Sequence, residues 1–211
     1  MFGNGPFFSP PPPILKGERV FLQPPRFRDF RQWSRLRGDS RAFLEPWEPS
    51  WGEDALSRAT FRDRTTRMAR DWRADTAYSF HIFDRHGEKL VGGINLNSVR
   101  RGVAQTASLG YWLGEDYARR GLMSAGLSLL LPFAFRDLHL HRLEAACLGG
   151  NEPSQSLLRK FGFRSIGIAH SCLKINGRWQ DHMLFDLIFD DLMGSRGMAQ
   201  ATQTVEMANS P

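Results

Sequence analysis

The sequence predicts an α/β (α+β) fold: one mixed, mostly antiparallel, twisted sheet of about six to seven strands, with about four helices. Three observations predict it. Between residues 78 and 113, three β-prone runs follow one another with only turn-sized gaps, the spacing of consecutive antiparallel strands. From residue 121 the pattern switches to helix, strand and helix. Finally, Asn176 and Gly177 separate two more strand-like runs, and Asn-Gly is a strong hairpin signal.

Each element has a local reason. Arg19 to Gln23 reads as a first strand, ended by Pro24 and Pro25. Phe30, Trp33 and Leu36 recur at helical spacing before Gly38, so a helix is expected over about 28–37. The prolines of Phe43 to Pro49 predict a non-helical segment there. A second helix is expected from about Glu53 to Trp72, with Leu56, Phe61 and Met68 on its apolar side and an arginine-rich, solvated opposite face. Strands follow over Tyr78 to Phe83, Lys89 to Asn97 and Gln105 to Leu113. Gly92 and Gly93 weaken the middle strand or permit a bulge. Gly121 to about Asp137 predicts a helix kinked near Ser128, because Pro132 removes one of its bonds. His141 to Leu148 is a strand. The helix Asn151 to Phe161 carries an Asn N-cap, a Pro in its first turn and Gly162 after its end. Arg164 to Lys174 and Trp179 to Phe189 form the closing hairpin.

Composition bounds the rest. The chain of 211 residues is 41% apolar and 24% charged, within the range of a globular domain. Residues 1–13 read as an extended Pro-rich arm, 14–192 as the domain, and 193–211 as a disordered tail. No secretory signal or apolar run of membrane-spanning length is read, so no membrane partner and a cytoplasmic location are expected. Cys147 and Cys172 have no metal-ligand spacing, and no metal is expected. The formal charge of +6 favours anionic partners. Its arginines are scattered along the sequence and no nucleic-acid signature accompanies them, so no direct nucleic-acid reading is expected.

Two segments carry chemistry. In the first, Gly110 to Gly114 (GYWLG) runs through a short polar loop into a helix starting at Gly121. The helix's first N–H groups and the positive end of its dipole then face that loop, as suits a diphosphate. Arg119 and Arg120 add charge, Gly121 admits close approach, and Ser124 adds a hydroxyl. A plain helix start with a solvated loop accounts for the same residues. The second segment is Asn151 to Ser154, where capping alone explains Asn and Ser. The two segments together, in this order and at this separation, point to one site.

These segments, with His141 to Ala145 (HRLEA) and Leu158 to Phe163 (LRKFGF), resemble successive signatures of the GCN5-related N-acetyltransferase (GNAT) superfamily. Leu44 to Pro49 and Asn176 to His182 resemble its branch that acetylates the N-termini of ribosomal proteins, the RimJ type. The likeness covers about residues 14–190. The usual phosphate loop begins with Gln or Arg and ends in Gly or Ala, whereas Ala118 and Met123 stand there.

The resemblance implies acetyl-CoA as cofactor and a sheet splayed at a β-bulge. Tyr111, Trp112 and Leu113 would pair with the pantetheine arm through their main chain, and the Leu113 N–H would polarise the thioester carbonyl. Arg119, Arg120, Gly121, Leu122, Met123 and Ser124 would hold the pyrophosphate. Asn151 would hold the pantetheine, and Ser154 would sit at the sulfur as a weak acid. Glu144 is the first candidate base, with pairing to a neighbouring arginine as the alternative. His139, His141 and the Asp181–His182 pair are further candidates. Glu45, Trp47, Glu48 and Trp51 would orient the acceptor, implied to be a ribosomal protein's N-terminal alanine. A small-molecule amine acetyltransferase and a non-catalytic ribosome- or nucleic-acid-binding protein are the rival readings, with monomer and dimer both open.

Overall fold

Alternate residues of the strand Tyr78–Asp84 serve two different cores: Tyr78, Phe80 and Ile82 join one apolar cluster and Phe83 the other. That period-2 division organises a computed structural model which describes residues 12–190. The arm up to residue 11 and the expected tail over 193–211 lie outside the described residues.

The elements in chain order are β1 (Leu15–Lys16), β2 (Val20–Gln23), α1 (Phe30–Asp39), α2 (Arg41–Leu44), α3 (Arg58–Arg73), β3 (Tyr78–Asp84), β4 (Leu90–Arg100) and β5 (Thr106–Leu113). Then come α4 (Leu122–Pro132), β6 (Arg142–Leu148), α5 (Glu152–Lys160), β7 (Arg164–Ile175) and β8 (Arg178–Ile188). One eight-stranded sheet has the order β1-β2-β3-β4-β5-β6-β8-β7. Every neighbouring pair is antiparallel except β5 and β6, whose parallel pairing spans the α4 crossover. The mixed α/β architecture is the predicted one, with a two-residue β1 and a one-turn α2 added.

Helix α4 packs Leu127 and Leu130, both fully buried, into the larger core with Leu22, Ile82 and Leu143. Each such side chain contributes roughly 1.5–3 kcal/mol, so packing fixes the axis of α4 and the direction in which its N-terminus points. Helices α1 and α3 supply Trp33 and Phe61 to the smaller core, which meets Phe83 and Leu90 of the sheet. Phe61 also stacks on His81, with ring centroids 6.2 Å apart.

Two local expectations are corrected and a third gains detail. Residues 43–49 are not free of helix: α2 runs into a 3-10 turn, Glu45–Trp47, because Pro46 occupies a first-turn position where no N–H is needed. Helix α3 begins at Arg58 rather than near Glu53, since the Ser57 hydroxyl caps it by accepting from the Thr60 N–H at 3.1 Å. Around Pro132 the expected helix changes type as well: α4 continues to Pro132 and widens afterwards into a π turn, Phe133–Asp137, closed by the Leu138 N–H on the Phe133 carbonyl.

Other boundaries follow their signals. Asn176 and Gly177 both have positive φ (43° and 77°), as a two-residue I′ turn requires. Gly162, at φ 83°, ends α5. The Phe163 N–H reaches the Leu158 carbonyl and the Gly162 N–H reaches that of Arg159, both at 3.0 Å, a Schellman cap.

Candidate active site

Strands β5 and β6 are paired only from Thr106 to Ser108, opposite Arg142 to Glu144. Beyond that point β5 stays on β4 as far as Leu113, while β6 follows β8 as far as Leu148. The strands therefore splay. The bulge that the resemblance implied lies elsewhere: the register shift of the β4–β5 ladder falls between Asn97 and Arg100, on β4, and β5 itself is regular from Ser108 to Leu113.

Ladder parity shows which backbone groups face the gap. The Gly114 N–H bonds to the Val91 carbonyl at 2.9 Å, so pairing alternates from there. Trp112 and Gly93 exchange ladder bonds, whereas the main-chain groups of Tyr111 and Leu113 point away from β4, into the opening. Trp112 is not brought into the cleft. Its indole covers Gly93 on the α1 side, where a Cβ at Gly93 would stand 2.5 Å from the indole nitrogen.

At the mouth of this opening, Gly121 caps α4 in the left-handed region (φ 75°), and Arg119 is left-handed as well (φ 57°). The first helical bond is that of the Ala125 N–H to the Gly121 carbonyl. Among the described residues, the N–H groups of Arg119, Arg120, Gly121, Leu122, Met123 and Ser124 find no protein acceptor. Leu122 and Met123 bury their side chains in the core, which holds this run of amides in place. Arg119 and Arg120 are exposed. A residue that sequence reasoning missed completes the ring: Arg19 donates to the Arg120 carbonyl at 2.7 Å. Its guanidinium also lies 2.9 Å from where a Cβ on Gly121 would stand. Six outward amides beside three guanidinium groups make a donor set for a doubly charged, multi-oxygen anion.

Across the gap, the Asn151 side-chain oxygen accepts the Ser154 N–H at 3.2 Å, which caps α5. The Ser154 and Tyr111 hydroxyls are 2.7 Å apart. Burial pushes the Tyr111 phenol up to about 12, so it stays protonated at any ordinary pH. The Cys147 thiol joins them, raised by burial against a lowering hydrogen bond from Ser154. Tyr111 was read from sequence for its backbone alone; its hydroxyl and Cys147 are additions.

Glu144 has both oxygens near arginines: Oε2 is 3.3 Å from Arg100 and Oε1 is 3.2 Å from Arg142. That is the paired carboxylate of the alternative reading. Asp181 and His182 do not act together. Asp181 turns to His170 at 2.9 Å and to the Ser171 N–H at 2.8 Å, and the Ser171 bond is the main reason its carboxyl sits below the usual range. His182 is buried with Nδ1 on the Gln180 carbonyl at 2.9 Å. His139 sits exposed in a loop, its Nδ1 on the Asp137 carbonyl.

The predicted acceptor residues form a wall, but most of their charge is already matched. Arg37, nearly buried, grips Glu48 with both nitrogens at 2.8 and 2.5 Å. Trp51 donates to the same carboxylate at 3.0 Å. The Arg37 guanidinium lies between the rings of Trp51 and Trp112, at 4.2 and 4.7 Å. Glu45 pairs with Arg41 at 2.6 Å in a more exposed setting, and Trp47 is exposed. The Asn176 N–H bonds to the Glu48 carbonyl at 2.9 Å, joining this wall to the tip of the β7–β8 hairpin.

Comparison with known proteins agrees with this geometry. The acetyltransferase (GNAT) domain family matches residues 19–164. The chain is 32% identical to a probable N-acetyltransferase, YjcK, of Bacillus subtilis, over 84% of this chain and 98% of that one. It is 29% identical to the ribosomal protein uS5 alanine N-acetyltransferase of Escherichia coli, over 84% and 91%. The structure superposes on Mycobacterium smegmatis RimJ, solved in complex with CoA-disulfide, with a TM-score of 0.81 at 29% identity, covering 90% of this chain and 91% of that one. With its family profile matched over most of its length and its splayed sheet in place, the chain belongs to the GNAT acetyltransferase family and is an N-acetyltransferase.

Proposed function

We propose that the protein transfers the acetyl group of acetyl-CoA to the N-terminal α-amine of a ribosomal protein, an N-terminal alanine, by direct attack with both substrates bound. The single observation that carries the reading is that the unpaired amides from Arg119 to Ser124 follow directly in the chain from the end of β5, where Leu113 is off the β4 ladder and Tyr111 meets Ser154. The alanine acceptor is taken from the uS5 enzyme among its relatives. A cytoplasmic location accompanies that acceptor.

The residues present fit the cofactor. Arg19, Arg119, Arg120 and the amides through Ser124 would hold its pyrophosphate, with the backbone of Gly121 in closest approach. The main chain of Tyr111 and the side-chain amide of Asn151 would hold the pantetheine. When bound, acetyl-CoA supplies an acyl group already activated on a thiol. The Leu113 N–H, free of the β4 ladder, donates to the carbonyl oxygen as charge develops there. Ser154, oriented by Tyr111, donates to the departing sulfur.

The acceptor needs little basic help. An α-amine has a pKa of about 7.7–8.0, against about 10.4 for lysine, so much of it is neutral near pH 7.5. Glu144 is engaged by Arg100 and Arg142, and a base requires an oxygen within reach of the amine; positioning therefore supplies most of the rate. Glu45 suits an incoming ammonium better than Glu48, because an exposed pair such as Arg41–Glu45 holds by only about 0–1 kcal/mol and exchanges readily.

Intact-mass spectrometry of ribosomal proteins, treated with the enzyme and acetyl-CoA, tests this. One acetyl group should appear on a single protein, at its α-amine. Acetylation of a small amine with no mass change in any ribosomal protein would overturn the acceptor assignment.

A further inference from the structure

The arginines that are scattered in sequence are gathered in space. Segments 26–39 and 58–73, which hold α1 and α3, contain eleven arginines and four acidic residues. Their surplus of seven exceeds the +6 of the whole chain, so the rest of the molecule is close to neutral.

Within this layer, Phe27 is an exposed aromatic ring with two guanidinium groups over it, Arg58 at 4.9 Å and Arg62 at 5.3 Å from its centroid, both from the same side of α3. Arg26 and Arg28 adjoin it in sequence and are exposed. Among the described residues none of these four arginines has a carboxylate partner, whereas Arg35, Arg37 and Arg41 nearby do. Arg26 and Arg28 also line a groove of about 700 Å³, together with Lys16 and Arg85. Phe21, stacked on Phe83 at 5.1 Å, is part of its lining. Asp29, in the same groove, is consumed by His81 and by the Arg26 N–H, which leaves Glu88 as the remaining acid of the lining.

We infer that this surface binds single-stranded RNA, through phosphates on Arg26, Arg28, Arg58 and Arg62 and a base stacked on Phe27. Unpaired guanidinium groups on a fixed scaffold match phosphate oxygens, and an aromatic ring among them accepts a base of any identity. A membrane is the weaker match: the surface offers one half-exposed ring and no apolar face to insert. The surface belongs to the β1–β3 end of the molecule, with β4 between it and the β5–β6 cleft. Binding is therefore independent of the acetyl-transfer reading, and it is of the backbone kind, without readout of base sequence.

The test uses the full chain and a fluorescein-labelled 20-nucleotide poly-uridine, followed by anisotropy from 50 to 300 mM salt. Neutralising Z phosphates gives a slope of about −0.7Z in log K against log salt. Arg58→Glu with Arg62→Glu should weaken binding more than tenfold at low salt and flatten the slope by about 1.4. Phe27→Leu should cost roughly tenfold with the slope unchanged. Acetyl transfer to a free acceptor peptide should be the same in all variants, confirming that they fold. No binding at low salt would overturn the proposal. So would undiminished binding by the double variant, or equal affinity for polyglutamate or anionic phosphatidylglycerol vesicles with no effect of Phe27→Leu.

Discussion

The β5–β6 cleft and the α1–α3 layer are built by opposite means. Around the cleft the outward-facing groups are backbone: six amides before and inside the first turn of α4, and the main chain of Tyr111 and Leu113. Beneath the exposed arginines of the α1–α3 layer, the buried polar work is done by side chains that close on one another, Arg37 on Glu48 and Asp29 on His81. The difference teaches where a ligand can enter. Unsatisfied amides held by buried neighbours are an invitation to an anion, whereas a carboxylate already gripped by an arginine is a strut.

The strongest way to break that contrast is Arg37→Ala. Removing one partner of a nearly buried pair costs roughly 3–5 kcal/mol, and two ring contacts go with it. A fall in Tm of about 6–20 °C is expected, measured by scanning calorimetry, and Arg37→Ala combined with Glu48→Ala should recover part of it. If Tm instead holds and only the acceptor KM rises, Glu48 belongs to the binding wall and the strut reading fails.

Next in size is Gly121→Val. A β-branched residue at φ 75° is strained by roughly 1–3 kcal/mol, and its side chain meets the Arg19 guanidinium. Relieving both moves the cradle, so affinity for acetyl-CoA should drop about ten- to hundredfold by calorimetry. Unchanged affinity would show that the cofactor is held elsewhere.

The two regions were also unequally legible in sequence. Asn151, Gly162, Gly177 and the Gly121 helix start announce themselves, because caps and turns are local and restrict residue type. Splaying is invisible locally: it depends on β6 leaving β5 for β8. Pairings between remote positions leave no pattern either. Arg19 meets Arg120 across 101 residues, and Tyr111 meets Ser154 across 43. Trp112 is excluded for a simpler reason: ladder bonds alternate along a strand, so its N–H and carbonyl face β4 while those of Tyr111 and Leu113 face the gap. The arginines of α3 looked like an ordinary solvated face until the 26–31 segment was folded beside them.

A comparable effect sharpens the cleft side. Ser154→Ala should lower kcat about a hundredfold, the low end for a donor to a leaving group, with acetyl-CoA affinity nearly intact. Tyr111→Phe should lower it less, because Ser154 loses its orienting partner but keeps its hydroxyl. With the Tyr111 phenol at about 12, the ratio of wild-type to Tyr111→Phe kcat should stay constant from pH 6 to 10. A ratio that varies across that range would mean the phenol itself exchanges a proton during turnover.

The smallest effect tests the side-chain-built layer by pH. Burial lowers the His81 pKa below its ordinary value, against the raising influence of Asp29. In the unfolded chain the imidazole titrates near 6.5, so below that pH the unfolded state takes up a proton that the folded state refuses. Stability is then full above about 6.5 and declines as pH falls towards the lower folded value. His81→Gln removes that proton uptake, so its Tm should vary less than wild type between pH 7.5 and 5.5, although it is lower throughout. Parallel Tm curves for the two proteins would mean that Asp29 holds His81 protonated, a charged pair like Arg37–Glu48, and the layer would then be built on two buried ion pairs instead of one.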